Sequence, residues 1–200
     1  MPMKAKSSAS GAARPGSAPS SPRGRRQLEL QRNLHVLSAV VRRVLEQAPV
    51  ESLADSPITA EQLKLLRFVV LKRGAKVGEV ANGLGITAAS ASLALDRLQA
   101  LGFVERKKRS RDRRSVQIFA TRSGRAIVAR VRRIVDAKLS RAMDRIGVKD
   151  TELFTELAGE VTRVLMKGQE YFGDICMQCG VGGSEGCIIR ELFESCPHSE

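Results

Sequence analysis

Residues 77–106 read VGEVANGLGITAASASLALDRLQALGFVER, and the punctuation of this stretch decides the fold. A short periodic run closes at Gly83 or Gly85, Thr87 stands where a helix cap belongs, and a longer run continues to Leu101 before Gly102. Glycine supplies the left-handed backbone that closes a helix, and a threonine hydroxyl satisfies the first backbone N–H groups of the next. Two helices joined by so tight a turn form a helix-turn-helix, whose second helix can lie in the major groove of a duplex. Ile86, Ala91, Leu95 and Leu98 fall on one side of that second helix and predict its buried face. The outward set is then Thr87, Ala88, Ala89, Ser90, Ser92, Leu93 and Arg97.

Downstream, the period changes to two. FVERKKR and SVQIFAT flank SRDR, which predicts a β-hairpin with a basic tip. Residues 105–114, ERKKRSRDRR, hold seven bases and two acids. So concentrated a charge repels itself unless an anion meets it, which favours a polyanion contact over a merely solvated turn. Arg109, Arg111, Arg113 and Arg114 are the candidates for phosphates or a narrow minor groove.

Upstream, Thr59 and Gln62 form a capping-box pair ahead of Leu63, Leu66, Phe68, Val69 and Val70, and this helix stops at Arg73-Gly74. From Gln27, Leu30, Leu34, Leu37, Val41 and Val44 make one apolar stripe, which Pro49 is expected to end. After the hairpin come Ile127, Val131, Ile134, Val135, Ala142 and Ile146 before Gly147. A last helix, expected to be capped by Asp150, carries Leu153, Leu157, Val161, Val164, Leu165 and Phe172. These stripes exceed what so small a unit can cover, so a helical homodimer is the economical arrangement and a monomeric bundle the alternative. The fold class is mainly α with a small β-hairpin wing: a winged helix-turn-helix plus a helical dimerisation domain. The expected boundaries are a disordered basic tail at 1–26, a dimerisation helix and linker at 27–56, the DNA-binding domain at 57–124, dimerisation helices at 125–172 and a cysteine-rich tail at 173–200.

ITAEQLKLL, VGEVANGLGITAASASLALDRLQALGFVER and RDRRSVQIFATRSG, in that order across residues 58–124, resemble the winged helix-turn-helix regulators of the MarR family. The flanking helices extend the likeness to about 27–172. Its most specific element is the Asp-x-Arg of Asp112 and Arg114, followed by ATRSG. The resemblance implies a cytoplasmic transcriptional regulator, more often a repressor, acting as a homodimer on a pseudo-palindromic operator with half-sites about one helical turn apart. It also implies that Asp112 buttresses the wing while Arg114 enters the minor groove. The family often has a polar residue near positions 88 and 93, where this chain has Ala88 and Leu93. Shape readout and phosphate contacts should therefore carry more of the affinity than base hydrogen bonds, with Ser90 and Ser92 as the polar contacts and Leu93 against thymine methyls. Family members often bind small aromatic effectors between the dimer helices and DNA-binding lobes; the sequence maps no such pocket here, and the effector stays unknown.

The formal charge of +13 is uneven. Residues 1–26 carry six Lys/Arg and no acid, residues 173–200 carry one base against five acids, and the middle remains strongly basic. Nucleic acid is the partner this balance favours; no membrane partner is expected, since no stretch nears the roughly 18 apolar residues of a span. No secretory signal is read at the N-terminus, so a reducing, cytoplasmic setting is expected, in which structural disulfides are disfavoured.

All four cysteines lie in the last stretch: Cys176, Cys179, Cys187 and Cys196, followed by Pro197 and His198. Cys-x2-Cys lets two thiolates approach one centre, and the remaining spacing fits an iron–sulfur cluster somewhat better than a zinc knuckle. A metal-free thiol switch and a functionless extension are the other readings, and His198 and His35 are expected to be bystanders. Two rivals to a regulator stand beside it. One is an architectural, weakly specific DNA-binding protein with a structural zinc tail. The other is a thiol oxidoreductase using Cys176 and Cys179, against which no catalytic grouping is found elsewhere; no enzyme activity is expected.

Overall fold

The computed structural model describes residues 21–53, 56–109 and 112–167, with Cys187, Ile188 and Glu191; for Arg109 and residues 112–115 it describes the backbone alone. The chain divides into two units, Met1–Arg43 and Val44–Glu200.

The first unit contributes α1 (Pro22–Val41). Ser21 caps it, its hydroxyl accepting the Gly24 N–H at 3.0 Å, with Pro22 in the first turn. Proline fits there because its missing N–H needs no helical partner. The helix thus starts five residues before the expected Gln27, and Arg23, Arg25 and Arg26 ride on it rather than in a tail; residues 1–20 lie outside the described residues. None of its residues is buried, and Leu30, Leu34, Leu37 and Val41 stay exposed.

Pro49 does not end the first helix as expected. The chain widens into a π-helical turn at Arg42–Gln47 and resumes as α2 (Ala48–Glu51), which carries Pro49 near its start. A proline lacks the N–H of the helical ladder and crowds the carbonyl one turn back, and a wider turn absorbs both faults.

In the second unit, α3 (Ala60–Lys72) begins with the predicted capping box. The Thr59 hydroxyl accepts from Gln62 N at 3.2 Å and the Gln62 side-chain Oε1 accepts from Thr59 N at 2.9 Å. It ends where expected, with Arg73 left-handed at φ 48° and Gly74 at φ 126°. Then follow α4 (Val77–Leu84), whose Glu79 carboxylate accepts the Lys76 N–H at 2.6 Å, and α5 (Ala88–Ala100). Gly85 turns between them at φ 64°, a conformation that costs glycine little.

Strands β1 (Val104–Arg109) and β2 (Asp112–Ala120) pair antiparallel, Val104 opposite Ala120 and Arg106 opposite Ile118. Ala75 adds a bridge, donating to Ile118 O at 3.0 Å and accepting from Ile118 N at 2.8 Å, so the α3–α4 loop is stitched to the hairpin. Two helices complete the unit. Thr121 caps α6 (Arg122–Ile146), accepting the Gly124 N–H at 3.1 Å. Gly147, not Asp150, is the cap of α7 (Val148–Met166). The chain turns at Gly147 itself, so Asp150 falls inside the first turn, where its charge suits the positive end of the helix without capping it. Phe172 lies outside the described residues.

The core sits under the helix-turn-helix. Leu63, Leu66, Phe68 and Val69 of α3 meet Val80 and Ala81 of α4, Leu95 and Leu98 of α5, Ile118 of β2 and Val131 of α6. Leu65, outside the predicted stripe, is buried as well, and Val70 is only partly covered. Gly78 is the opposite case: exposed on α4, with nothing within 4 Å of where a Cβ would sit. Gly78→Ala should therefore raise the unfolding free energy by about 0.5–1 kcal/mol, read from urea denaturation midpoints.

Among the described residues no helix is long and apolar enough to cross a membrane.

Candidate nucleic-acid interface

Thr87 caps α5 as predicted, its hydroxyl oxygen accepting the Ser90 N–H at 3.1 Å and its proton directed to Ser90 Oγ at 2.9 Å. Ala91, Leu95 and Leu98 are buried, and they seat the helix against α4 and α3. Thr87, Ala88, Ala89, Ser90, Leu93 and Arg97 are exposed and Ser92 is half-buried, so the predicted outward set does lie on the surface. Leu93, 55 % exposed, is its one large apolar side chain. Ile86 does not belong to the buried face. It is 37 % exposed and sits in the turn, where its N–H reaches Ala81 O at 3.0 Å. Helical spacing cannot place a residue that precedes the helix.

This outward face can receive a duplex in two ways. The free backbone N–H groups at the start of α5 favour a phosphate, and the short side chains permit close approach to a groove floor.

The strands of the hairpin are longer than SRDR suggested. Asp112, Arg113 and Arg114 belong to β2, and Arg109 pairs with Asp112 across a register irregularity after Lys108. Alternation marks strands poorly where charged residues fill both faces. Arg111 lies outside the described residues, as do the side chains of Arg109, Asp112, Arg113 and Arg114.

Three basic residues of the wing, Arg106, Lys107 and Lys108, have exposed side chains that the candidate set omitted. Lys107 pairs with Glu105 at 2.8 Å and lies 5.7 Å from the Phe119 ring centroid. Arg106 reaches back to Asp96 of α5 at 2.6 Å. The sequence held a signal for that partner, because Asp96 is the sole acid on α5.

Of the four cysteines only Cys187 is among the described residues; Cys176, Cys179 and Cys196 lie outside them, as does His198. Glu191 N donates to Cys187 O at 3.0 Å. Arg163 of α7 pairs with Glu191 at 2.9 Å and with Glu160 at 2.9 Å. The Glu191 hydrogen bond, reinforced by both carboxylate charges, outweighs desolvation and raises the Arg163 pKa. Ile188 packs near Gly159 of the same helix. Among the described residues no group of three or more His, Cys, Asp or Glu side chains is arranged to hold a metal ion.

Residues 56–115 match the sequence profile of the MarR family. Solved structures share the architecture. A MarR family protein from Bacillus stearothermophilus is 22 % identical, covering 72 % of this chain and 97 % of its own, with a TM-score of 0.61. FabT of Streptococcus pneumoniae, solved in complex with DNA, is 20 % identical over 68 % of this chain and 96 % of its own, at 0.59. The reduced form of MarR from E. coli is 26 % identical over 66 % and 95 %, at 0.54. No curated protein matches the chain. The profile match spans the helix-turn-helix and most of the wing, and the shared fold extends over 72 % of the chain. Residues 56–115 thus carry the MarR-family sequence pattern, and the described fold is similar to that of MarR-family winged helix-turn-helix proteins.

Proposed function

We propose that this protein is a sequence-specific, dimeric transcriptional regulator, acting as a repressor, that grips duplex DNA with α5 in the major groove and the wing along the backbone. The observation that carries this reading is a solvent-facing α5, free of long acidic side chains except Asp96, standing beside a hairpin dense in arginine and lysine. FabT, with the same fold, is solved on DNA. Partnering is supported by the apolar residues left uncovered on α1, α6 and α7, which a second copy would bury. The reading places the protein with its DNA in the cytoplasm.

Selection from a random-sequence duplex library tests it. The protein should enrich a pseudo-palindrome with half-sites about one helical turn apart, and bind it at least about a thousandfold more tightly than the starting pool. Retention without enrichment would favour the architectural reading. In the same assay Arg114→Ala should cost about 2 kcal/mol, roughly thirtyfold in affinity, as expected for an arginine in a groove. An unchanged affinity would remove Arg114 from the contact set.

The cysteines supply the finer part of the proposal. Cys176, Cys179, Cys187 and Cys196 would hold an iron–sulfur cluster or a zinc ion, whose presence biases the dimer between DNA-binding and non-binding states. Supporting it is the link from Cys187 through Glu191 to Arg163 of α7, a helix that carries uncovered apolar side chains. Absorption spectra and metal analysis after anaerobic purification distinguish the cases. Iron with sulfide indicates the cluster, zinc without colour the ion, and neither metal defeats the centre.

A further inference from the structure

We infer that Asp96 and Arg106 are a positioning pair: their ion pair fixes the wing against the recognition helix, so that groove and backbone contacts fall in register. The inference rests on the DNA-binding reading above and adds to it a residue that opposes DNA by charge yet serves it by geometry.

Alternation along β1 sets Val104, Arg106 and Lys108 on one face of the hairpin and Glu105 and Lys107 on the other. Val104, opposite Ala120, and Ile118, opposite Arg106 itself, belong to the core beneath α5, so Arg106 continues that same face outward at the edge of the core. There its guanidinium meets the Asp96 carboxylate at 2.6 Å, one residue after buried Leu95.

The base of the hairpin is already held. Phe103 N donates to Leu98 O at 2.9 Å, Thr121 N donates to Phe103 O at 3.0 Å, and the Thr121 hydroxyl donates to Gly102 O at 2.7 Å. Those bonds fix where the wing starts, and the Ala75–Ile118 bridge holds its β2 edge; the β1 edge and the two-stranded ribbon beyond it can still swing, since hairpins without further partners are marginal. Among the described residues, Asp96–Arg106 is the ion pair that joins the wing to α5 beyond that base. An exposed pair of this kind adds little to overall stability, so its value lies in orientation.

Charge and geometry predict opposite signs, which makes the pair testable. Removing an acid from a DNA-facing helix strengthens binding to any duplex if only charge matters. If the pair positions the wing, Asp96→Asn instead weakens binding to the selected pseudo-palindrome by about tenfold, while affinity for the unselected pool stays level or rises. The swapped variant Asp96→Arg with Arg106→Asp restores most of the preference, because it keeps the net charge and the bond. Hydrogen exchange on the free protein supplies a reading independent of DNA: in Asp96→Asn the amides of 104–109 and 112–118 exchange faster, and those of α4 do not. Tighter or unchanged binding to the selected duplex, or wing exchange identical to the parent, overturns the inference. If the parent itself shows no sequence preference, the regulator reading fails in that arm, while the exchange arm still decides whether the pair holds the wing.

Discussion

Phe154→Glu combined with Leu157→Glu should produce a monomer and lower affinity for a selected duplex by at least roughly a hundredfold. Both side chains are 55 % exposed on α7, beside the similarly uncovered Leu153, Val164 and Leu165. Of its nineteen residues α7 buries only Gly159 and Met166, and α6 leaves Leu139, Met143 and Ile146 open. An apolar side chain of this size contributes about 1.5–3 kcal/mol when covered, and a carboxylate in its place costs several kcal/mol if it must be buried unpaired. Two such replacements outweigh a typical dimer interface. Neither residue belongs to the hydrophobic core, so helix content and thermal unfolding of the subunit should survive. The loss on DNA follows from geometry, because one head alone forfeits the second half-site. Sedimentation velocity and a binding titration read both effects; a dimeric variant with parental affinity would show that this face is not the interface.

Gly124→Ala should destabilise the subunit by about 3 kcal/mol, a fall of several degrees in Tm. A Cβ at this position would stand against the carbonyl oxygen of Phe103, a backbone atom, and 3.1 Å from Leu66. That carbonyl also accepts from Thr121 N, so it cannot retreat without loosening the clasp at the foot of the wing. The first turn of α6 therefore has room for glycine alone. DNA binding should weaken along with stability, since the same carbonyl sets the start of β1. A variant that melts with the parent would mean that α6 shifts freely against the hairpin, contrary to the burial of Val131 and Phe103.

Much of this was legible in the residues. Thr59 with Gln62, Thr87 and Gly85 announce helix boundaries through local chemistry that needs no tertiary context, and the structure has them where expected. Boundaries that depend on competition were less legible. Pro49 reads as a stop but is absorbed by a π turn, and Asp150 reads as a cap but loses that place to Gly147. Ile86 failed because periodicity was extended into a turn. Long-range pairings left almost no trace in sequence. The Ala75–Ile118 bridge joins residues of no distinctive type, and Asp96–Arg106 looks like two surface charges until the hairpin folds over α5. The outward set of α5 was readable because its buried partners repeat every three or four residues. The wing arginines were readable as a charge density, although their individual roles rest on the Asp-x-Arg resemblance.

The most direct test of the central claim is the mass, by light scattering or sedimentation equilibrium, of the purified protein alone and on its selected duplex. The account predicts two chains in solution and two chains per duplex at low ionic strength, with the complex dissociating steeply as salt rises. A single chain in both states, or a protein that stays off duplex at low salt, would contradict it.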